Sequence, residues 1–285
     1  RASDYFELTK PRVTAMVLVT TLAGYYLGAA GAFEFAIALN LLAGTALASG
    51  GTLALNQYME RDTDAVMKRT RYRPIPDRRI HPAEALCFGI VTTVVGLAYL
   101  GFAVNWTAAA VTAAITVSYL FAYTPLKRVS WSCNLVGAIP GALPPVAGWA
   151  ATRGSIFSAE PWVLFVMMFL WQLPHSLSIA KLYRDDYKRA RLWLIPLDRG
   201  DDHHPENPVI VSASIMLLVM GAMPTLMGFA GMTYLVIAAA LGVAMLAAAI
   251  ALVRGPETAA AARRVMLASL MYLPIALLAM VLDRV

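Results

Sequence analysis

Charge is what this sequence has least of. Only 14% of its 285 residues are Asp, Glu, Lys or Arg, against roughly 25% in an ordinary soluble domain. The 59% of hydrophobic residues exceed what a soluble fold of this length can hide from water, so a water-soluble globular protein is excluded. Cysteine is nearly absent. Cys87 and Cys133 lie in or at the end of apolar runs, with no spacing that suits zinc or a disulfide framework, and they read as small buried hydrophobes. No low-complexity tract or separate polar domain interrupts the chain. The N-terminus does not read as a cleavable signal, because Asp4 and Glu7 precede the first apolar run. Alternation of apolar and polar residues over about ten positions is also missing, which excludes the strands of a membrane barrel.

What is present is a series of continuous apolar stretches, each near the ~20 residues that a membrane-spanning helix needs. They cover roughly 12–31, 35–58, 83–104, 106–124, 133–152, 162–180, 208–229, 231–253 and 265–283. The expectation is an all-α, polytopic membrane helix bundle of nine transmembrane helices, forming a single transmembrane domain over residues 1–285. With that threading, every Lys and Arg except Arg153 and Arg284 falls on one side, which the positive-inside rule makes cytoplasmic. The N-terminus is then inside and the C-terminus outside. The formal charge of +6 is accounted for by topology and a lipid bilayer partner, with no call for nucleic acid. Outer connections are short (32–34, 105 and 229–233), whereas the inner ones at 59–82 and 181–207 are long and charged, and long connections are where function concentrates.

The second run leads into the first of these loops through Asn56-Gln57-Tyr58-Met59-Glu60-Arg61-Asp62-Thr63-Asp64. Asn56, Glu60 and Asp64 are four residues apart, so on a helix they form one stripe, drifting about 40° per step. Asp62 points nearly opposite Glu60 and reads as a solvated acid. An Asn deep in an apolar run is costly without a partner. Three oxygen-bearing side chains on one stripe suit a hard cation such as magnesium, which takes one or two carboxylates together with phosphate oxygens. Lys68, Arg69, Arg71 and Arg73 follow directly and suit a diphosphate, held by charge-assisted hydrogen bonds. A transporter is the reading of a different class, but it would place ionisable groups near the bilayer midplane. Here the acids gather at cytoplasmic helix ends and the middles of the runs are almost free of charge.

The spacing Asn56-x-x-x-Glu60-x-x-x-Asp64 with Arg69-Thr70-x-x-Arg73-Pro74 resembles the first motif of the UbiA superfamily of intramembrane prenyltransferases. Further strings resemble its haem-farnesylating branch: Leu8-Thr9-Lys10-Pro11-Arg12, Tyr123-Thr124-Pro125-Leu126-Lys127-Arg128, Gly141-Ala142-Leu143-Pro144-Pro145-Val146-Ala147-Gly148-Trp149, Trp171-Gln172-Leu173-Pro174-His175 and Tyr183-Arg184-Asp185-Asp186-Tyr187. Together they run from residue 8 to about 197. The resemblance implies transfer of a farnesyl group from farnesyl diphosphate to a vinyl group of haem B, giving haem O, with magnesium as cofactor. An aromatic acceptor is the alternative within the superfamily. It implies catalytic roles for Asn56, Glu60, Asp64, Asp185 and Asp186, with the first three as metal ligands. Lys68, Arg69, Arg73, Lys127, Arg128, Lys181 and Arg184 become diphosphate contacts. Tyr119 and Tyr123 become candidates to line the prenyl path or to face a carbocation. Trp171, Gln172 and His175 become haem contacts, haem being substrate and not resident cofactor. Haem-handling and terminal oxidase assembly proteins are the implied protein partners, and the bacterial inner membrane the implied location. The chain departs from the pattern in three places. Asp185 and Asp186 are adjacent where other members carry carboxylates four residues apart, Ser176 stands where Phe is expected, and Arg191 stands where the branch usually has Gly.

Overall fold

A computed structural model describes residues 1–29, 31–196, 204–255 and 258–285. Residues 197–203 of the second inner loop, Asp201, Asp202 and His203 among them, lie outside the described residues. Among them every regular element is helical. A short α1 (Ala2–Leu8) is followed by α2 (Pro11–Gly28), α3 (Phe35–Val66), α4 (Pro82–Ala103) and α5 (Trp106–Leu126). Then come α6 (Cys133–Arg153), α7 (Glu160–Leu182), the short α8 (Arg184–Arg189), α9 (Glu206–Leu226), α10 (Met232–Arg254) and α11 (Ala259–Leu282). Eight of these, α3 to α7 and α9 to α11, are long and apolar enough to cross a membrane. The first expected span corresponds to α2, an 18-residue helix that Arg12, three threonines after it and two adjacent tyrosines leave less apolar than the others. The exterior is apolar, as a lipid-facing surface must be: Phe102, Phe121, Val94 and Leu278 are all exposed.

Helices here are held by close backbone approach, because lipid leaves little hydrophobic drive between apolar helices. The tightest crossing joins α2 to α6. A Cβ at Gly24 would stand 2.0 Å from the Pro145 carbonyl oxygen, and one at Gly148 would stand 1.9 Å from that of Thr21. Only glycine permits both contacts. α6 is itself broken at Leu143, where Pro144 and Pro145 restart the helix. Trp149, Leu164, Trp171, Tyr234, Tyr272 and Met280 fill the interior among α6, α7, α10 and α11.

Two departures from regular helix bear on the inner end of the bundle. α3 has 32 residues, about 48 Å at 1.5 Å per residue, which is longer than a ~30 Å hydrocarbon core. Its C-terminal turns therefore project past the apolar layer while remaining enclosed by protein. In α5 the segment Ser118–Tyr123 widens to a π-helix, a distortion frequent at functional sites. Beneath these, Arg79 pairs with Asp4, with Glu7 at 2.8 Å and with Asp77 at 3.1 Å, and it also donates to the Tyr72 carbonyl. It thereby fastens α1 to the 67–80 connection. At Arg191 φ is +53°, the left-handed region where a side chain is strained and Gly is at ease.

Candidate active site

Asn56, Glu60 and Asp64 share one face of α3 and are 0%, 7% and 1% exposed. Buried polar groups of this kind need partners, and each receives one cation from a different part of the chain. Lys10 Nζ donates to Asn56 Oδ1 at 2.7 Å. Lys127 Nζ donates to Glu60 Oε1 at 2.7 Å. Arg73 donates to Asp64 Oδ2 at 2.7 Å. Asn56 completes its set by donating from Nδ2 to Thr124 Oγ1, which in turn donates to the Tyr119 carbonyl, the same oxygen that accepts the Thr124 backbone N–H at the end of the π-segment. Asp62 is exposed and lies 3.8 Å from Arg61, off the stripe.

One atom is left over. Asp64 Oδ1 is buried and has no hydrogen-bond partner, an expensive state unless something else meets it. Among the described residues no three His, Cys, Asp or Glu converge as a complete metal site. The mouth thus offers two carboxylates and an amide, with further oxygen ligands to come from elsewhere. That is the donor set magnesium takes when it binds beside phosphate groups.

The cations differ in character. Burial and the neighbouring Arg73 guanidinium pull the Lys10 ammonium down to about 7, against the opposing pull of Glu60. Burial also works against the charge of Lys127, but the Glu60 carboxylate, with Tyr123 and Tyr119, outweighs it and holds that ammonium well above its ordinary value. Lys10 adopts the left-handed conformation, φ +47°, immediately before Pro11. That turn between α1 and α2 brings its side chain over α3. Sequence spacing gives Lys10 no link to Asn56, 46 residues away; its only signal is the Leu8–Arg12 string.

Directly beyond the stripe lies an apolar cavity of about 240 Å³ among α2, α3, α5, α6 and α7. Val13, Val17, Leu53 and Ile115 form much of its wall, and Tyr119 and Tyr123 stand in it. Their ring centroids are 5.3 Å apart, and Lys127 Nζ sits 4.3 Å from the Tyr123 centroid. The same two tyrosines therefore face both the charged mouth and the apolar chamber.

Other expected residues are placed differently. Asp186 accepts from the backbone N–H groups of Lys68 and Arg69, each at 3.3 Å, and from Arg189. Burial opposes its charge, yet those N–H groups and Arg189 hold the carboxyl below the usual range. Both its oxygens thereby help to fasten the 67–73 loop, which is where the structure places this residue expected to be catalytic. Asp185 is exposed beside it, in an open hollow with Lys68, Arg69 and Arg189. Arg69 reaches Tyr187 Oη at 3.4 Å and lies over the Tyr183 ring. The Arg128 side chain is exposed and touches the Met59 carbonyl. Lys181, expected at the diphosphate, instead donates to Glu206 Oε1 at 2.7 Å, and Arg184 lines the same separate pocket. Trp171 and His175 stack, with centroids 4.9 Å apart and planes 15° from parallel. Gln172 lines the cavity while its amide donates to the carbonyls of Ala138 and Met168.

Residues 17–271 match the UbiA prenyltransferase family. The chain belongs to that family. A relative from Solibacter usitatus (strain Ellin6076), called protoheme IX farnesyltransferase, is 40% identical over 99% of this chain and 98% of its own length. One of the same description from Koribacter versatilis (strain Ellin345) is 38% identical over 99% and 93%. Among solved structures, a digeranylgeranylglyceryl phosphate synthase superposes with a TM-score of 0.82 at 16% identity, covering 99% of this chain and 98% of that one. A UbiA homologue from Archaeoglobus fulgidus, bound to GPP and Mg2+, gives 0.68 at 17% identity over 97% and 99%. At such identities these two share the UbiA fold with this chain.

Proposed function

We propose that this UbiA-family enzyme transfers a farnesyl group from farnesyl diphosphate to a vinyl group of haem B, giving haem O. The observation that carries the chemistry is the junction at Tyr119 and Tyr123 between a mouth of paired acids and cations and an apolar chamber. The acceptor rests on the protoheme IX farnesyltransferase relatives that align along nearly the whole chain.

Lys10, Lys127 and Arg73 hold the diphosphate, exchanging their contacts with Asn56, Glu60 and Asp64 for phosphate oxygens, and Arg69 and Lys68 reach it from the loop that Asp186 fastens. Asp64 through Oδ1, Glu60 and Asn56 would hold magnesium, which supplies neutralisation of charge on the leaving diphosphate. The cationic side chains act in the same sense as the C–O bond to the farnesyl carbon breaks and its electron pair leaves with the diphosphate. Tyr119 and Tyr123 present π faces to the allylic cation. The apolar walls keep water from it until the vinyl carbon attacks. A C–C bond then forms at the terminal vinyl carbon, and water adds to the neighbouring carbon with loss of a proton, leaving a hydroxyethylfarnesyl group. The basic inner loops support a mouth that faces the cytoplasm, with a bacterial inner membrane as the proposed location.

Haem extracted from membranes with and without the expressed protein tests the reading. Farnesylated haem accumulates with the wild type and not with Asp64→Asn, and chelation followed by added magnesium abolishes and restores it. Prenyl transfer to an aromatic ring with no farnesylated haem would refute the acceptor.

A further inference from the structure

The face of α3 that carries Asn56 at the mouth continues outward as one wall of the chamber. Ser49 and Thr45 both line the cavity. At about 100° per residue they fall within roughly 20° of the phase of Asn56, and Leu41, one turn further out, within roughly 60°. The facing wall is α5, which runs in the same direction, since Asn56 meets Thr124 and Thr52 meets Thr116. The Thr52 and Thr116 hydroxyls are 2.9 Å apart and set the register of the two helices. Thr112, one turn beyond Thr116, is fixed by donating to the Ala108 carbonyl at 2.8 Å.

The chamber ends where these walls reach Thr45 and Thr112. Leu41 and Ala108 stand one turn beyond them and are both 0% exposed. They belong to a single buried cluster with Tyr25, Leu100 and Ala150, and none of these five lines the cavity. A close-packed cluster of this kind leaves no room for a further stretch of chain. The chamber is thus open at the charged mouth and closed at the outer end.

Its depth can be set against the length of a prenyl chain. From Asn56 the rise along α3 is about 10 Å to Ser49, about 16 Å to Thr45 and about 22 Å to Leu41. Carbon chains with bonds of about 1.5 Å and angles of about 111° advance roughly 1.25 Å per bond, or about 5 Å per isoprene unit. One unit therefore matches one turn of helix, about 5.4 Å. Extended from the mouth, two units reach about 9 Å, three about 14 Å and four about 19 Å. Two end near Ser49 and three end just inside Thr45. A fourth would have to enter the space that Leu41 fills.

We propose that α3 is a ruler for the prenyl donor, with Thr45 as the floor and Leu41 as the plug behind it, so that the chamber selects a chain of three isoprene units. The proposal rests on a prenyl diphosphate as donor and is independent of haem as acceptor.

The test measures binding of the thiolodiphosphate analogues of geranyl, farnesyl and geranylgeranyl diphosphate, with magnesium, to the full chain in lipid nanodiscs. Ratios of affinities are read, because they do not depend on how much of a variant is folded. Prenylated haem is measured by mass in the same preparations. The wild type prefers farnesyl to geranylgeranyl. Thr45→Phe fills the last turn of the chamber and lowers the farnesyl-to-geranyl ratio by about 100-fold, within the range for a mismatched apolar pocket, while geranyl still binds. Leu41→Ala opens the next turn and raises the geranylgeranyl-to-farnesyl ratio by about tenfold. Thr45→Val has the shape of threonine without the hydroxyl and keeps the wild-type ratios. If Thr45→Phe and Leu41→Ala leave the ratios unchanged, the ruler is wrong. If Thr45→Val shifts them as far as Thr45→Phe does, the hydroxyl and not the depth is being read, and the ruler is again wrong. A wild type that binds none of the three analogues overturns the prenyl donor and the ruler together. A wild type that binds farnesyl but yields no farnesylated haem overturns the acceptor alone, and the same ratios still decide the ruler.

Discussion

Replacing Gly24 by Ala tests how the α2–α6 crossing sets the site. The added methyl would lie 2.0 Å from the Pro145 carbonyl oxygen, whereas a carbon and a carbonyl oxygen settle at about 3.3 Å or more. The obstacle is backbone, so no rotamer change relieves it, and the helices must part by roughly 1.3 Å locally. A gap of that size removes much of the dispersion contact along the crossing. The cost falls at or above the upper end of the usual overpacking range, about 3 kcal/mol, or roughly 5–10 °C in thermal midpoint. Gly148→Ala, which meets the Thr21 carbonyl oxygen at 1.9 Å, behaves alike. Gly50→Ala, whose new methyl would meet only the Thr9 side chain at 3.2 Å, is nearly silent. Because α2 begins directly after Lys10 and carries Val13 and Val17 into the cavity wall, the first two variants also lose prenyl transfer at temperatures where they remain folded. Thermal unfolding in detergent and a transfer assay on the same samples give both readings. Midpoints for Gly24→Ala and Gly148→Ala within a degree of wild type would refute the close crossing.

Three further outcomes are expected. Lys127→Met leaves Glu60 buried without its hydrogen-bonding cation, destabilising the fold by about 3 kcal/mol and lowering kcat/KM for the prenyl diphosphate by about 100-fold or more; adding Glu60→Gln recovers stability in unfolding assays but not activity. Asp186 has its carboxyl held low, so its grip on the 67–73 loop is complete above about pH 4 and is lost as pH falls through the lowered value; protease cleavage of that loop rises there in the wild type, and in Asp186→Asn it is raised at every pH with a higher KM for the diphosphate. Arg191→Gly releases the strain at φ +53° and raises stability by about 1 kcal/mol with unchanged turnover, while Arg191→Ala gives no gain.

The stripe of Asn56, Glu60 and Asp64 was legible because helical phase is a local property, and the same phase correctly removed Asp62. The helical class and the apolar runs were legible for the same reason. Long-range pairing was not. Lys181 stands next to the Asp185-Asp186 string, yet it turns to Glu206, whose return 25 residues later no periodicity reveals. Asp186 reads as a free carboxylate until the backbone N–H groups of Lys68 and Arg69, more than 110 residues away, are seen to occupy it. Lys10 reaches Asn56 through a left-handed turn, and nothing in the composition around it forces that conformation. Arg191 is the converse case: the branch's glycine at this position fits the left-handed backbone found here.

The three cations at the stripe outnumber its two carboxylates, so the enclosed mouth carries one positive charge in excess when Lys10 is protonated. A prenyl diphosphate bearing three negative charges together with a single divalent cation brings the whole assembly to neutrality, the state a low-dielectric enclosure favours most. A diphosphate without the metal leaves the mouth with a net negative charge, and the metal without the diphosphate leaves it strongly positive. Each ligand thus makes the other's arrival electrostatically easier.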